Sequence, residues 1–119
     1  MKLHRIAALG SLVVALAATP AALAHTPVHH TSIADKASLA TAPPIFTVAF
    51  EGKTGLASVS LTEASGKAVP LAYKPPSDPA GSFTIPLPRL AKGSYVLMWR
   101  TIGEDGHAMS GKVSFIITG

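Results

Sequence analysis

From position 45 onward, the larger apolar residues of the chain recur at every second position. This period is typical of β-strands, because successive side chains of a strand point to opposite faces of the sheet. Runs with this pattern occupy residues 46–50, 57–61, 69–73, 83–87, 95–99 and 113–117. The pattern therefore predicts a protein built from short strands.

Turn-forming residues separate these runs at a spacing of about ten residues, which favours a β-sandwich or barrel. They lie at residues 51–55, 65–67, 75–79, 92–93 and 104–106. After residue 24 no run combines a helical period with helix length, although residues 32–40 are compatible with one weak helical turn. A parallel βαβ architecture is disfavoured, since nothing in the sequence would serve as its helices.

The first 24 residues have the features of a secretory signal peptide. Lys2 and Arg5 give a positive start, residues 6–18 are apolar apart from Gly10 and Ser11, and small residues precede a cleavage site after Ala24. An apolar run of about 13 residues is too short to cross a bilayer, which takes about 20, so a membrane anchor is disfavoured. We expect cleavage to leave one domain, residues 25–119, that is not inserted in the membrane.

The composition narrows the class of partner. The chain has no cysteine, which removes disulfides and thiolate ligands from an exported domain. The formal net charge of +4 includes Lys2 and Arg5, which leave with the signal peptide. The remaining basic residues are scattered singly, whereas nucleic-acid binders cluster them on one face. A nucleic-acid partner is therefore not expected.

Histidines carry the candidate chemistry. Cleavage after Ala24 gives His25 a free α-amine, which can chelate a metal ion together with Nδ1 of the same residue. The turn Asp105-Gly106-His107 offers a carboxylate oxygen and an imidazole nitrogen, although Asp-Gly is also an ordinary turn dipeptide. His25, Asp105 and His107 together supply three nitrogens and one oxygen, a set that suits the tetragonal geometry preferred by copper(II).

Other metals and ligands stay open at this point. The same donor set can hold zinc tetrahedrally, and it is the chelating terminus that favours copper(II). His29 and His30 are alternative ligands, a weak capture site or solvated residues. Met98 and Met109 are soft ligands that suit copper(I), but Met98 is better interpreted as packing within its strand.

Short motifs along residues 25–119 follow one another in a distinctive order. A histidine directly follows the signal, Leu-Ala-Thr-Ala-Pro occupies residues 39–43, and the next strand ends at Phe50. Gly-x-Tyr-x-x-x-Trp-Arg at residues 93–100 precedes Asp-Gly-His at 105–107 and Ser-Gly at 110–111. With these motifs the chain resembles the CopC family of periplasmic copper-resistance proteins. It departs from many members at Ile33 and Lys36, where they have proline and glycine, and it lacks the methionine-rich region of some.

The resemblance implies an all-β, Greek-key (Ig-like) β-sandwich of about seven strands, similar to cupredoxins, with a copper(II) site at His25, Asp105 and His107. It also implies a periplasmic carrier for copper resistance or trafficking, without turnover, beside an inner-membrane partner of the CopD type. Two other classes stay open: a copper-dependent oxidative enzyme with an N-terminal histidine ligand, and a metal-free interaction module. The small domain and its few spare aromatic residues argue against the broad substrate surface that the enzyme needs.

Overall fold

Seven strands account for the regular structure of residues 27–119, the part of the chain that the computed structural model describes. They are β1 (Val28–Thr31), β2 (Ala37–Leu39), β3 (Ile45–Glu63), β4 (Ala68–Val69), β5 (Ala80–Pro86), β6 (Gly93–Ile102) and β7 (Ala108–Ile117). The prediction of an all-β sandwich of about seven strands is confirmed. The predicted signal peptide and His25 lie outside the described residues. Within the described part, no helix is long and apolar enough to span a membrane.

One long strand, β3, belongs to both layers of the sandwich. Its first half pairs antiparallel with β1 and β5, and its second half, from Gly55 onward, pairs antiparallel with β6. Residues 51–55, which we call the crossing segment, carry the strand from one layer to the other. The turn predicted at these residues is wrong, because the strand changes partners there instead of reversing direction.

The second layer is completed by β7, β2 and β4. Strands β6 and β7 form a hairpin. Its register pairs extend from Gly93 with Ile117 at the open end to Ile102 with Ala108 beside the turn. Strand β2 runs parallel to β7 along its other side, and the short β4 pairs with the end of β3. The β6–β7 turn therefore projects from one end of a long, fully paired hairpin.

The segment before β2 differs from the predicted helical turn. The Ser114 N–H donates a hydrogen bond of 2.8 Å to Asp35 Oδ1, and this contact holds the segment against β7. Lys36 has a φ of 68°, a left-handed conformation that glycine adopts more readily. Ile33 is buried with the core at 3% exposure. The chain thus builds this loop with two side chains that differ from the proline and glycine expected from the resemblance.

The strand predicted at residues 69–73 is also wrong. Only Ala68–Val69 pairs with β3, and residues 70–79 have no regular strand structure. Prolines at 70, 75, 76 and 79 lack the amide donor that a ladder needs. Leu71 and Tyr73 nevertheless pack on the core, so their alternation reflects burial without strand pairing.

The core lies between the two layers and consists of the inward positions of the paired strands. Its fully or nearly fully buried members are Ile33, Phe46, Val48, Phe50, Leu56, Leu61, Phe83, Ile85, Tyr95, Leu97, Trp99, Val113, Phe115 and Ile117. Aromatic contacts join the layers, with Phe46 and Trp99 ring centroids 5.8 Å apart and Phe50 edge-on to Phe83 at 6.2 Å. This packing holds the hairpin from which the β6–β7 turn projects.

Candidate metal centre

The turn between β6 and β7 presents Asp105 and His107. Above the last strand pair, the Gly103 N–H donates to the His107 carbonyl and the Gly106 N–H to the Gly103 carbonyl, each at 2.9 Å. Gly106 has a φ of 85°, which a residue without Cβ adopts at no steric cost. These bonds and this glycine produce a tight turn with defined positions for residues 105 and 107.

The two candidate ligands are bonded to each other in two ways. The His107 N–H donates to Asp105 Oδ1 at 3.0 Å, and Asp105 Oδ2 lies 2.9 Å from His107 Nδ1. The hydrogen bond from the His107 side chain, helped by the one from its backbone N–H, holds the pKa of Asp105 below its ordinary value. The carboxylate is therefore favoured in its ionised form, which is the form that binds a metal ion.

This pairing also orients the imidazole. The contact between the carboxylate and Nδ1 fixes the position of the ring relative to the carboxylate. The His107 side chain is 67% exposed and that of Asp105 35% exposed, so the pair is open to an ion from solvent. The predicted turn thus brings its two candidate ligands together, with the ring held beside the carboxylate.

The remaining candidate histidines lie on β1. His29 Nδ1 is 3.8 Å from Glu51 Oε1, and both side chains are largely exposed. His30 is exposed and pairs in register with Ala49. Across residues 27–119, no three side chains of His, Asp or Glu gather as a metal-binding group. Glu51 lies in a stretch that the sequence predicts as a turn, so no local signal pairs it with His29.

The two methionines differ in their environment. Met98 is 42% exposed on the outer face of β6, so its interpretation as a packed strand residue is wrong. Met109 is partly buried and pairs in register with Thr101. It lies two residues beyond His107 along β7.

The crossing segment contacts both the start of the described chain and the β6–β7 turn. At one end the Glu51 N–H donates to the Pro27 carbonyl at 2.9 Å. At the other end the Thr54 hydroxyl donates to the Ile102 carbonyl at 3.2 Å. Three residues of extended chain span at most about 10 Å, so Pro27 and the base of the turn lie at the same end of the sandwich.

Comparison with known proteins gives a consistent family match. A family model described as the CopC domain matches residues 28–118. CopC from Methylosinus trichosporium OB3b is similar at a TM-score of 0.66 and 31% identity, over 79% of this chain and 94% of that one. PcoC, described as a methionine-rich copper resistance protein from Escherichia coli, is similar at a TM-score of 0.57 and 28% identity, over 80% of this chain and 100% of that one. No curated protein sequence matches significantly.

Proposed function

Because the chain belongs to the CopC family, we propose that it is a periplasmic copper(II)-binding protein for copper resistance and trafficking. In this proposal residues 1–24 direct export and are removed. The domain of residues 25–119 then carries one copper(II) ion as cargo, without turnover, and exchanges it with an inner-membrane partner of the CopD type.

The proposed ligands are the α-amine and Nδ1 of His25, an imidazole nitrogen of His107 and a carboxylate oxygen of Asp105. The observation that carries the proposal is the Asp105–His107 pair, which is exposed at the turn and joined by a side-chain contact of 2.9 Å. Three nitrogens and one oxygen suit copper(II), which prefers tetragonal coordination by such ligands. The lowered pKa of Asp105 favours the charged oxygen ligand.

The position of Pro27 supports a role for the new N-terminus. His25 precedes Pro27 by two residues, so chain length alone keeps their α-carbons within about 7 Å. The Pro27 carbonyl is bonded to the crossing segment, which also contacts the base of the turn through Thr54. Pro27, the first described residue, therefore lies at the end of the sandwich that carries Asp105 and His107, and this supports a ligand from the residues just before it.

The test is copper titration of protein that begins at His25, as established by N-terminal sequencing. We expect one equivalent of copper(II) to bind tightly, with a paramagnetic resonance spectrum typical of nitrogen-rich tetragonal coordination. Adding one alanine before His25 removes the chelating amine, and His107→Ala removes an imidazole. Each change should weaken binding by more than about 100-fold, because changes beyond the ligands themselves already cost 10- to 100-fold.

His30→Ala is the matched control, since it removes an exposed imidazole of β1 that the proposal leaves unused. Its copper affinity should equal that of the parent protein. Unchanged affinity in the extended protein would contradict the terminal-amine ligand, and unchanged affinity in His107→Ala would contradict the turn ligand. Glycan cleavage by the copper-loaded protein with ascorbate would contradict a carrier without turnover.

A further inference from the structure

Two neighbouring residues of the crossing segment converge on one backbone atom, the carbonyl oxygen of Ile102. The Thr54 hydroxyl donates to this oxygen at 3.2 Å. Gly55 packs so closely on it that a Cβ at that position would lie 3.3 Å away. Ile102 is the last residue of β6, so the contacted carbonyl lies at the base of the turn that carries Asp105 and His107.

Thr54 is an unusual residue for its position. Thr54 is 1% exposed and is one of two buried polar residues in the described part of the chain. A buried hydroxyl requires a hydrogen-bond partner, whereas valine would fill the same space without one. The hydroxyl therefore contributes a directed contact to the turn in addition to packing.

The crossing segment connects the two halves of the proposed copper site. Its first residue, Glu51, holds the Pro27 carbonyl through a backbone bond of 2.9 Å, and Thr54 holds the Ile102 carbonyl. We infer that Thr54 is a positioning residue for the copper site, which sets the separation between the turn ligands and the mature N-terminus. This inference rests on the proposed function.

The effect on copper binding follows from preorganisation. A turn that is held in place before the ion arrives loses less conformational entropy on binding, and this smaller entropy cost increases the affinity. Without the Thr54 hydroxyl the turn can tilt at its base, and the ion must order it. The loss of one neutral hydrogen bond corresponds to roughly a three- to tenfold weaker affinity.

The test compares Thr54→Val and Thr54→Ser with a matched control, Thr62→Val. Thr62 lies on the same strand pair and its hydroxyl contacts the Val96 carbonyl at 3.4 Å, at a distance from the turn. We expect copper binding to weaken roughly three- to tenfold in Thr54→Val, and to stay at the parent value in Thr54→Ser and Thr62→Val.

Amide hydrogen exchange in the metal-free protein separates positioning from general stability. The amides of Gly103, Gly106 and His107 should exchange several-fold faster in Thr54→Val than in the parent, and at the parent rate in Thr62→Val. Gly55→Ala is an independent second perturbation, because its methyl group pushes on the same Ile102 oxygen. It should also weaken copper binding, even if Thr54→Val does not fold.

Parent-like affinity in a folded Thr54→Val, or equal weakening in Thr62→Val, would overturn the positioning role while leaving the proposed function intact. Parent-like affinity in Gly55→Ala would overturn it as well. A parent protein that begins at His25 and takes up no copper would instead overturn the proposed function, and the positioning role with it.

Discussion

Gly111 lies directly against the indole ring of Trp99, its register partner across β6 and β7. A Cβ at position 111 would lie 2.5 Å from Cε2 and Cζ2 of that ring and 2.6 Å from Nε1. Carbon atoms in contact need about 3.5 Å or more, so Gly111→Ala must displace the ring by about 1 Å. The ring is 5% exposed and packs on Phe46 at a centroid distance of 5.8 Å, which leaves little room for that displacement.

The cost of Gly111→Ala can be worked out from this geometry. Extra methyl groups forced into a packed core typically cost about 1–3 kcal/mol. Here the methyl group meets three ring atoms well inside contact distance, so we expect the upper end, about 3 kcal/mol. In a domain of this size each kcal/mol lowers the melting temperature by about 4–8 °C, which gives a drop of about 12–24 °C.

Fluorescence gives a direct assay, because Trp99 is the one tryptophan of the chain. Urea unfolding followed by its emission should show the loss of stability, and a spectral shift in the folded state should report the displaced ring. Gly81→Ala is the control, since nothing lies within 4 Å of a Cβ there, and it should stay within about 0.5 kcal/mol of the parent. A loss below about 1 kcal/mol in Gly111→Ala would refute the packing argument.

Three further predictions concern the loops and the proposed metal site. Lys36→Gly should raise the free energy of unfolding by about 0.5–1 kcal/mol, because a residue with a side chain is more strained in the left-handed conformation than glycine is. If urea unfolding showed Lys36→Gly to be no more stable than Lys36→Ala, this prediction would be contradicted. In the metal-free protein, NMR should show the pKa of the Asp105 carboxyl group below its ordinary value, and this pKa should rise in His107→Ala. The carboxylate therefore adds a small contribution to stability at pH values above its pKa in the unfolded state. That contribution disappears as the pH falls through its pKa in the folded state. Acidification should release copper, since protons displace metal from nitrogen ligands, and undiminished binding at about pH 4 would count against those ligands.

The β6–β7 hairpin is the part of the fold that the sequence predicts best. Alternation over residues 95–99 and 113–117 identifies Tyr95, Leu97 and Trp99, and Val113, Phe115 and Ile117, as inward-facing, and all six are buried. Long strands with one buried face carry a strong period-two signal. The Asp-Gly-His turn between them is predictable for the same reason, because both flanking strands are well defined.

The sequence does not indicate the strands that lack this signal. Strand β1 contains His29 and His30, and its exposed positions show no apolar alternation. Strand β2 has three residues and runs parallel to β7, which no local pattern indicates. Residues 69–73 show the opposite case, since the alternation is present but nearby prolines prevent a regular ladder. Periodicity therefore reports which side chains are buried, and pairing depends on partners far along the chain.

The crossing segment shows why the ligands of a site are easier to predict than their support. Asp105 and His107 are recognisable from residue type and spacing alone, because metal-binding chemistry resides in those side chains. Thr54 acquires its role from a carbonyl 48 residues away, and the glycines around it are equally compatible with a turn and with a strand that changes layers. The register pairs of Thr54 with Ala80 and of Gly55 with Ile102 distinguish these structures. A local motif can thus identify the proposed ligands, whereas the separation of the two halves of the proposed site is determined by the path of β3 between the layers.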